Sequence, residues 1–220
     1  MKSFDPDGKS LIYLITKGEM TAVNYAEKKR ETLEIIKTAA ECAISLIQIR
    51  EKHLSAKLLF ELTSEAAQIT KNSVTKILVN DRADVALAAG ADGVHLTAES
   101  LSSKAIRRNF PDNFIIGVSA HSLEKVREAK RQKADFAVFG PIFYTPNKGA
   151  SLGLETLREV CAKVKPFPVL ALGGIDESNY QLVLEISGGF AAIRFLNDKE
   201  NLRKLNKNIS RKGAKTAKKD

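Results

Sequence analysis

Gln48, Arg50 and Lys52 stand two residues apart in the run Gln48-Ile49-Arg50-Glu51-Lys52. Alternation along an extended chain puts all three on one face. An amide, a five-donor guanidinium and an ammonium on one face suit a polyanionic ligand. An end-of-strand ion pair between Arg50 and Glu51 is the plain alternative. Asn80-Asp81-Arg82 offers other chemistry. Asp81 can hold a hard cation through oxygen and Asn80 can bond ligand heteroatoms, or either can cap a helix. Ser119 and His121 add a hydroxyl and an imidazole, the latter suited equally to acid–base work or to a loop role. Thr145-Pro146-Asn147-Lys148-Gly149 is anion-binding equipment or a simple surface turn. Gly173-Gly174 lets backbone N–H groups come close to a phosphate. Two anion sites and a divalent cation suit one substrate with a pyrophosphate and another with a monophosphate.

These residues need elements that bring them together. Apolar runs rich in Ile, Val, Leu and Phe predict strands at Leu11–Thr16, Ser45–Glu51, Thr75–Asp81, Gly93–Thr97, Ile115–Ala120, Phe136–Phe143, Pro168–Ile175 and Phe190–Leu196. Helical spacing fills the gaps, as in Leu123–Lys133 and Leu152–Val164, with Ser122 as an N-cap. Repeated βα units predict an α/β fold, a single (β/α)₈ TIM barrel at about 23 residues per unit. In that fold chemistry sits at the C-terminal strand ends, where the residues above fall. A doubly wound open sheet would call for a G-x-G-x-x-G or P-loop signature, and neither is present.

The chain has 220 residues, 44% hydrophobic and 28% charged, which is globular usage. Its net charge of +9 is uneven. Residues 199–220 hold nine basic and two acidic side chains, leaving 26 basic against 24 acidic elsewhere. A near-neutral body excludes a nucleic-acid-binding surface as its main feature. The expected layout is a lead-in over 1–10, a barrel over 11–208 and a basic, disordered tail over 209–220. No run is long enough to span a membrane, and the N-terminus lacks a signal-peptide core, so a cytoplasmic location is expected. Cys42 and Cys161 read as structural thiols, and a homo-oligomer stays open.

Gln48-Ile49-Arg50-Glu51-Lys52, Asn80-Asp81-Arg82, Ala91-Asp92-Gly93-Val94-His95-Leu96, Gly117-Val118-Ser119-Ala120-His121-Ser122, Phe139-Gly140-Pro141-Ile142-Phe143 and Gly173-Gly174-Ile175 together resemble the thiamine phosphate synthase family, which has a thiazole tautomerase branch on the same barrel. The resemblance spans residues 11–196. It implies an enzyme that joins hydroxymethylpyrimidine pyrophosphate to a thiazole phosphate. It implies that Gln48, Arg50, Lys52, Asn80, Ser119 and Lys148 hold the pyrimidine and pyrophosphate, with Arg50, Lys52, Ser119 and Lys148 as the catalytic set. Asp81 matches a magnesium ligand, so Mg²⁺ is the expected cofactor. Thr145, Gly174, Ile193 and Arg194 match the thiazole phosphate site.

Three positions depart from the family pattern. Ser100 stands where a second magnesium carboxylate is usual. Asn147 replaces the second threonine of the phosphate loop, and Arg194 replaces a serine after the eighth strand. A neutral Ser100 is the poorer metal ligand, while Arg194 either strengthens phosphate binding or fills the pocket. Two other readings follow: a tautomerase with His121 as general acid–base, and a barrel that binds thiamine precursors without turnover.

Overall fold

The computed structural model describes residues 10–146 and 148–216. Eight strands alternate with eight helices: β1 (Leu11–Ile15), α1 (Tyr25–Glu41), β2 (Leu46–Ile49), α2 (Ala56–Thr70), β3 (Lys76–Asn80), α3 (Ala83–Ala88), β4 (Gly93–Leu96), α4 (Ser103–Asn109), β5 (Ile115–Ala120), α5 (Leu123–Arg131), β6 (Phe136–Phe139), α6 (Gly153–Val164), β7 (Val169–Leu172), α7 (Tyr180–Leu184), β8 (Gly189–Ala192) and α8 (Lys199–Thr216). All strands pair in parallel, in sequence order, and β8 closes on β1 with Leu11 opposite Gly189 and Tyr13 opposite Ala191. This is the expected (β/α)₈ barrel.

Each strand is apolar on both faces because it meets two cores. Alternate residues, among them Leu11, Tyr13, Leu46, Leu78, Ile115, Phe136 and Leu170, fill the barrel interior. The intervening residues, such as Ile12, Leu14, Ile47, Val79, Ile116 and Val169, pack outward against helix residues including Leu59, Leu62, Val126, Leu157 and Leu202. Ser122 caps α5 as expected, its Oγ accepting from the Lys125 N–H at 3.3 Å; Ser55 and Ser102 cap α2 and α4 in the same way.

Several strand ends differ from the sequence expectation. β6 stops at Phe139 instead of running to Phe143, because Pro141 has no N–H for a ladder. The chain beyond it stays close to β7, with Ile142 N–H donating to Leu172 O and Phe143 N–H to Gly173 O. β8 is Gly189–Ala192, and Ile193–Leu196 turns back, held where Asn197 Nδ2 donates to both Ile15 O and Ile193 O. β2 ends at Ile49, so strand alternation does not reach Lys52, which lies exposed in the following turn. α8 carries helical backbone through 209–216, where composition points to a disordered tail; Lys, Arg and Ala there are favourable helix formers. Residues 1–9 and 217–220, the rest of the lead-in and tail, lie outside the described residues, as does Asn147. Among the described residues no helix is long and apolar enough to cross a membrane.

Candidate active site

At the floor of the barrel mouth lies a set of buried polar side chains. Gln48 Nε2 donates to the Tyr13 hydroxyl at 3.0 Å, which leaves Gln48 Oε1 as an acceptor for a ligand N–H. Burial pushes the Tyr13 phenol well above its usual range, with the Gln48 bond a smaller opposing effect, so it stays neutral. His95 pairs in register with Asn80 on one side and Gly117 on the other. Its Nε2 lies 2.9 Å from Ser119 Oγ. Burial, and secondarily the Arg50 charge, pushes the His95 imidazole down to about 3, so it is neutral near pH 7. Two buried atoms here have no partner among the described residues, Asn80 Oδ1 and His95 Nδ1.

Arg50 follows directly on β2. Its backbone N–H donates to Thr16 Oγ1 at 2.9 Å, and its side chain makes no ion pair among the described residues. The Glu51 pairing considered from sequence does not form. Glu51 is buried and spends its carboxylate on backbone, Oε1 accepting from Gly18 N–H at 3.0 Å and Oε2 from Met20 N–H at 2.9 Å. These bonds pull the loop after β1 over Arg50. Gly18 has φ +78°, and a Cβ there would lie 3.1 Å from Arg50 O and 3.4 Å from its Nη1, so only glycine fits without strain.

Asn80 ends β3 and Asp81 follows with φ 62°, fixed by its N–H donating to His95 O at 2.9 Å. Neither caps α3, whose N-cap is Arg82 and which has no side-chain cap. Arg82 sends its guanidinium to Asp84 in a two-bond pair, leaving the exposed Asp81 carboxylate without a hydrogen bond or salt bridge among the described residues. Ser100 is differently placed. Its Oγ accepts from Thr97 N–H at 2.7 Å and lies 3.2 Å from Thr97 Oγ1, so it closes the turn after β4. Among the described residues no three His, Cys, Asp or Glu cluster as a preformed metal cage. The donors present fit a weakly held hard cation on Asp81 that takes its other oxygens from ligand and water.

His121 leaves β5 exposed, its Nδ1 donating to the Gly140 carbonyl at 2.6 Å and its Nε2 unspent among the described residues. Thr145 and Lys148 share a turn, with Lys148 N–H donating to Thr145 O at 3.2 Å; the Lys148 side chain is exposed and free of ion pairs among the described residues. After β7, Gly174 has φ +64°, and a Cβ there would come within 2.6 Å of Tyr144 O, so the β6 and β7 exits touch only because no side chain intervenes. The N–H groups of Gly173, Gly174, Ile193 and Arg194 donate to nothing among the described residues. Such backbone donors after the seventh and eighth strands are the usual phosphate cradle of this fold.

A model of the thiamine monophosphate synthase family, TMP-TENI, matches residues 12–195. The chain belongs to that family. A putative thiamine-phosphate synthase 2 of Aquifex aeolicus is 43% identical over 153 residues, covering 69% of this chain and 80% of the relative. A thiamine-phosphate synthase of Clostridium tetani is 33% identical over 196 residues, covering 88% and 90%. Among solved structures, a thiamine phosphate pyrophosphorylase from Pyrococcus furiosus aligns with a TM-score of 0.77 at 31% identity, over 93% of this chain and 99% of that one. A 3-dehydroquinate dehydratase from Geobacillus kaustophilus, at 14% identity and TM-score 0.62, shares the fold alone.

The residues expected of this thiamine monophosphate synthase family member thus stand at the exits of β2, β3, β5, β6, β7 and β8, at one end of the barrel. Two of the described ones have their side chains committed within the fold: Ser100 to the Thr97 turn, and Thr145, whose Oγ1 donates to Phe143 O at 3.2 Å. Sequence reasoning gave no role to Tyr13 or His95, and to Glu51 only an ion pair with Arg50. The available signal was a polar side chain at an inward position of an apolar strand for the first two. For Glu51 it was an acid buried inside a run of donors.

Proposed function

We propose that this barrel joins hydroxymethylpyrimidine pyrophosphate to a thiazole phosphate, giving thiamine monophosphate and pyrophosphate, as a transferase of thiamine biosynthesis. The observation that carries this reading is the pairing of unspent donors at one mouth: free guanidinium and ammonium groups on Arg50 and Lys148, and four free N–H groups after β7 and β8. They suit a pyrophosphate and a separate monophosphate.

In this reading the C–O bond to pyrophosphate breaks and its electron pair leaves with the pyrophosphate. The electron-rich pyrimidine stabilises the cationic carbon, and the thiazole nitrogen forms the new C–N bond. No activated Ser or Cys is needed, because the substrate is itself the nucleophile. Arg50, Lys52 and Lys148 neutralise the departing charge. Gln48 Oε1 and the orphaned Asn80 Oδ1 accept ring-amine hydrogens, and Ser119 orients the pyrimidine ring. Gly174 and its neighbours hold the thiazole phosphate with Thr145 and Arg194, while Asn147 stays an assignment by family position. Asp81 would hold a magnesium ion, which when bound supplies further charge neutralisation to the pyrophosphate. The molecule works on small substrates, and we place it in the cytoplasm as a self-contained or homo-oligomeric barrel without a nucleic-acid or membrane partner.

The test is pyrophosphate release with both substrates as Mg²⁺ is varied. Release that requires both substrates and the metal supports the reading. Thiazole isomerisation without release supports the tautomerase, which the unspent His121 Nε2 favours, and binding without turnover supports a carrier. His121→Ala separates the two enzymes: it abolishes a tautomerase and costs the synthase less than about tenfold, since no imidazole acts on the nucleophile.

A further inference from the structure

His95 has no role in the family assignment above, yet its ring is held tightly. It is 3% exposed. Tyr13 and Phe136 flank it, with ring centroids 5.7 and 6.4 Å away. Gly117 backs it closely: a Cβ on that residue would fall 2.9 Å from His95 Nδ1 and 2.5 Å from the Phe136 ring. The one polar contact of the ring is Nε2 to Ser119 Oγ at 2.9 Å, and this is also the one hydrogen bond of the Ser119 side chain among the described residues.

A neutral imidazole carries a single proton, and its position decides what Ser119 can offer. Were it on Nδ1, the ring would bury an N–H with no acceptor and turn it toward the Cα hydrogens of Gly117. Nε2 would then consume the Ser119 proton. Orphaned buried N–H groups are rarer than under-satisfied acceptors. A bare Nδ1 facing C–H hydrogens is a weak but favourable contact. With the proton on Nε2, His95 donates to Ser119 Oγ, and the hydroxyl hydrogen is left for a ligand.

We infer that His95 is a positioning residue, fixed as the Nε2–H tautomer, that makes the Ser119 hydroxyl a hydrogen-bond donor toward the mouth and so selects a substrate ring with an acceptor nitrogen at that point. The ligand class is a heteroaromatic ring with a bare sp² nitrogen, which rests on the pyrimidine substrate of the proposed function. A ring with C–H or N–H in its place leaves the Ser119 donor unpaired and is rejected.

The ring proton can be read without substrate. In protein labelled with ¹⁵N-histidine, the His95 shifts should mark Nε2 as protonated and Nδ1 as bare, with a cross-peak pattern lost in His95→Gln. A protonated Nδ1 overturns the inference, whatever the enzyme's activity. The second arm uses kcat/KM for the pyrimidine substrate. His95→Gln, whose amide can still donate to Ser119, should stay within about threefold of the parent. His95→Leu should lose roughly tenfold, as should Ser119→Ala, and the double variant no more than either alone. Additive losses, or equal losses for Gln and Leu, would show His95 acting as packing only. If the parent protein releases no pyrophosphate, the reading of function fails, while the tautomer measurement still decides the inference.

Discussion

At the scale of single residues, the buried imidazole of His95 gives a stability signature. Its folded pKa of about 3 lies below the unfolded value of 6.5. Between those values the unfolded chain takes up a proton that the folded chain refuses, so stability falls as pH drops from 6.5 toward 3. The slope is about 1.4 kcal/mol per pH unit, and the contribution is complete above pH 6.5. Denaturant melts should therefore show His95→Gln losing roughly 2–3 kcal/mol less than the parent between pH 6.5 and 4.5. Equal losses would mean the ring is solvated or paired. Ser100 offers a second expectation. Its hydroxyl closes the Thr97 turn, so in the proposed metal site Ser100 would leave Asp81 without a second carboxylate at that position. Ser100→Asp can keep the Thr97 N–H bond with one oxygen and present the other. It should lower the Mg²⁺ concentration for half-maximal rate, with a smaller effect at saturating metal. If instead Glu99→Gln raises the metal requirement and Ser100→Asp does nothing, Glu99 is the second ligand. The charged residues of the mouth were legible in sequence because they interrupt apolar runs at strand ends. His95 and Tyr13 were not, since their meaning depends on which strands lie beside them.

Among the elements, the loop after β1 shows how position is inherited. Glu51 holds Gly18 and Met20 by their backbone N–H groups, and Gly18 in turn lies against Arg50. Glu51→Gln replaces one acceptor with a donor facing an N–H, which costs about 1–3 kcal/mol. Its melting temperature should fall, and KM for the pyrophosphate substrate should rise several-fold as Arg50 loses its fixed neighbour. A lower melting temperature with KM unchanged would confine Glu51 to folding. Strand existence was legible here and strand ends were not. Ile142, Phe195 and Leu196 extend apolar runs past β6 and β8, yet they are buried in the outer core from turns. Hydrophobicity records burial, and a missing Pro141 N–H or the Asn197 clamp decides where the ladder stops.

For the molecule as a whole, closure of β8 on β1 turns separate strand ends into one site, and the repeated βα pattern made that legible before any coordinates. Among the described residues, the α8 side chains buried in the core are Leu202 and Leu205. Deleting residues 211–220 should leave turnover and melting temperature unchanged, and a fall of more than a few degrees would show that the segment packs on the body. In the proposed reaction a departing pyrophosphate is neutralised by side chains that follow β2 and β6, Arg50 and Lys148. Steady-state kcat/KM of Arg50→Ala and Lys148→Ala tests this most directly. Each should fall by at least ~10²-fold, the loss of a charge-assisted contact worth about 2–4 kcal/mol to the developing oxyanion. A loss under roughly threefold in both variants would contradict it.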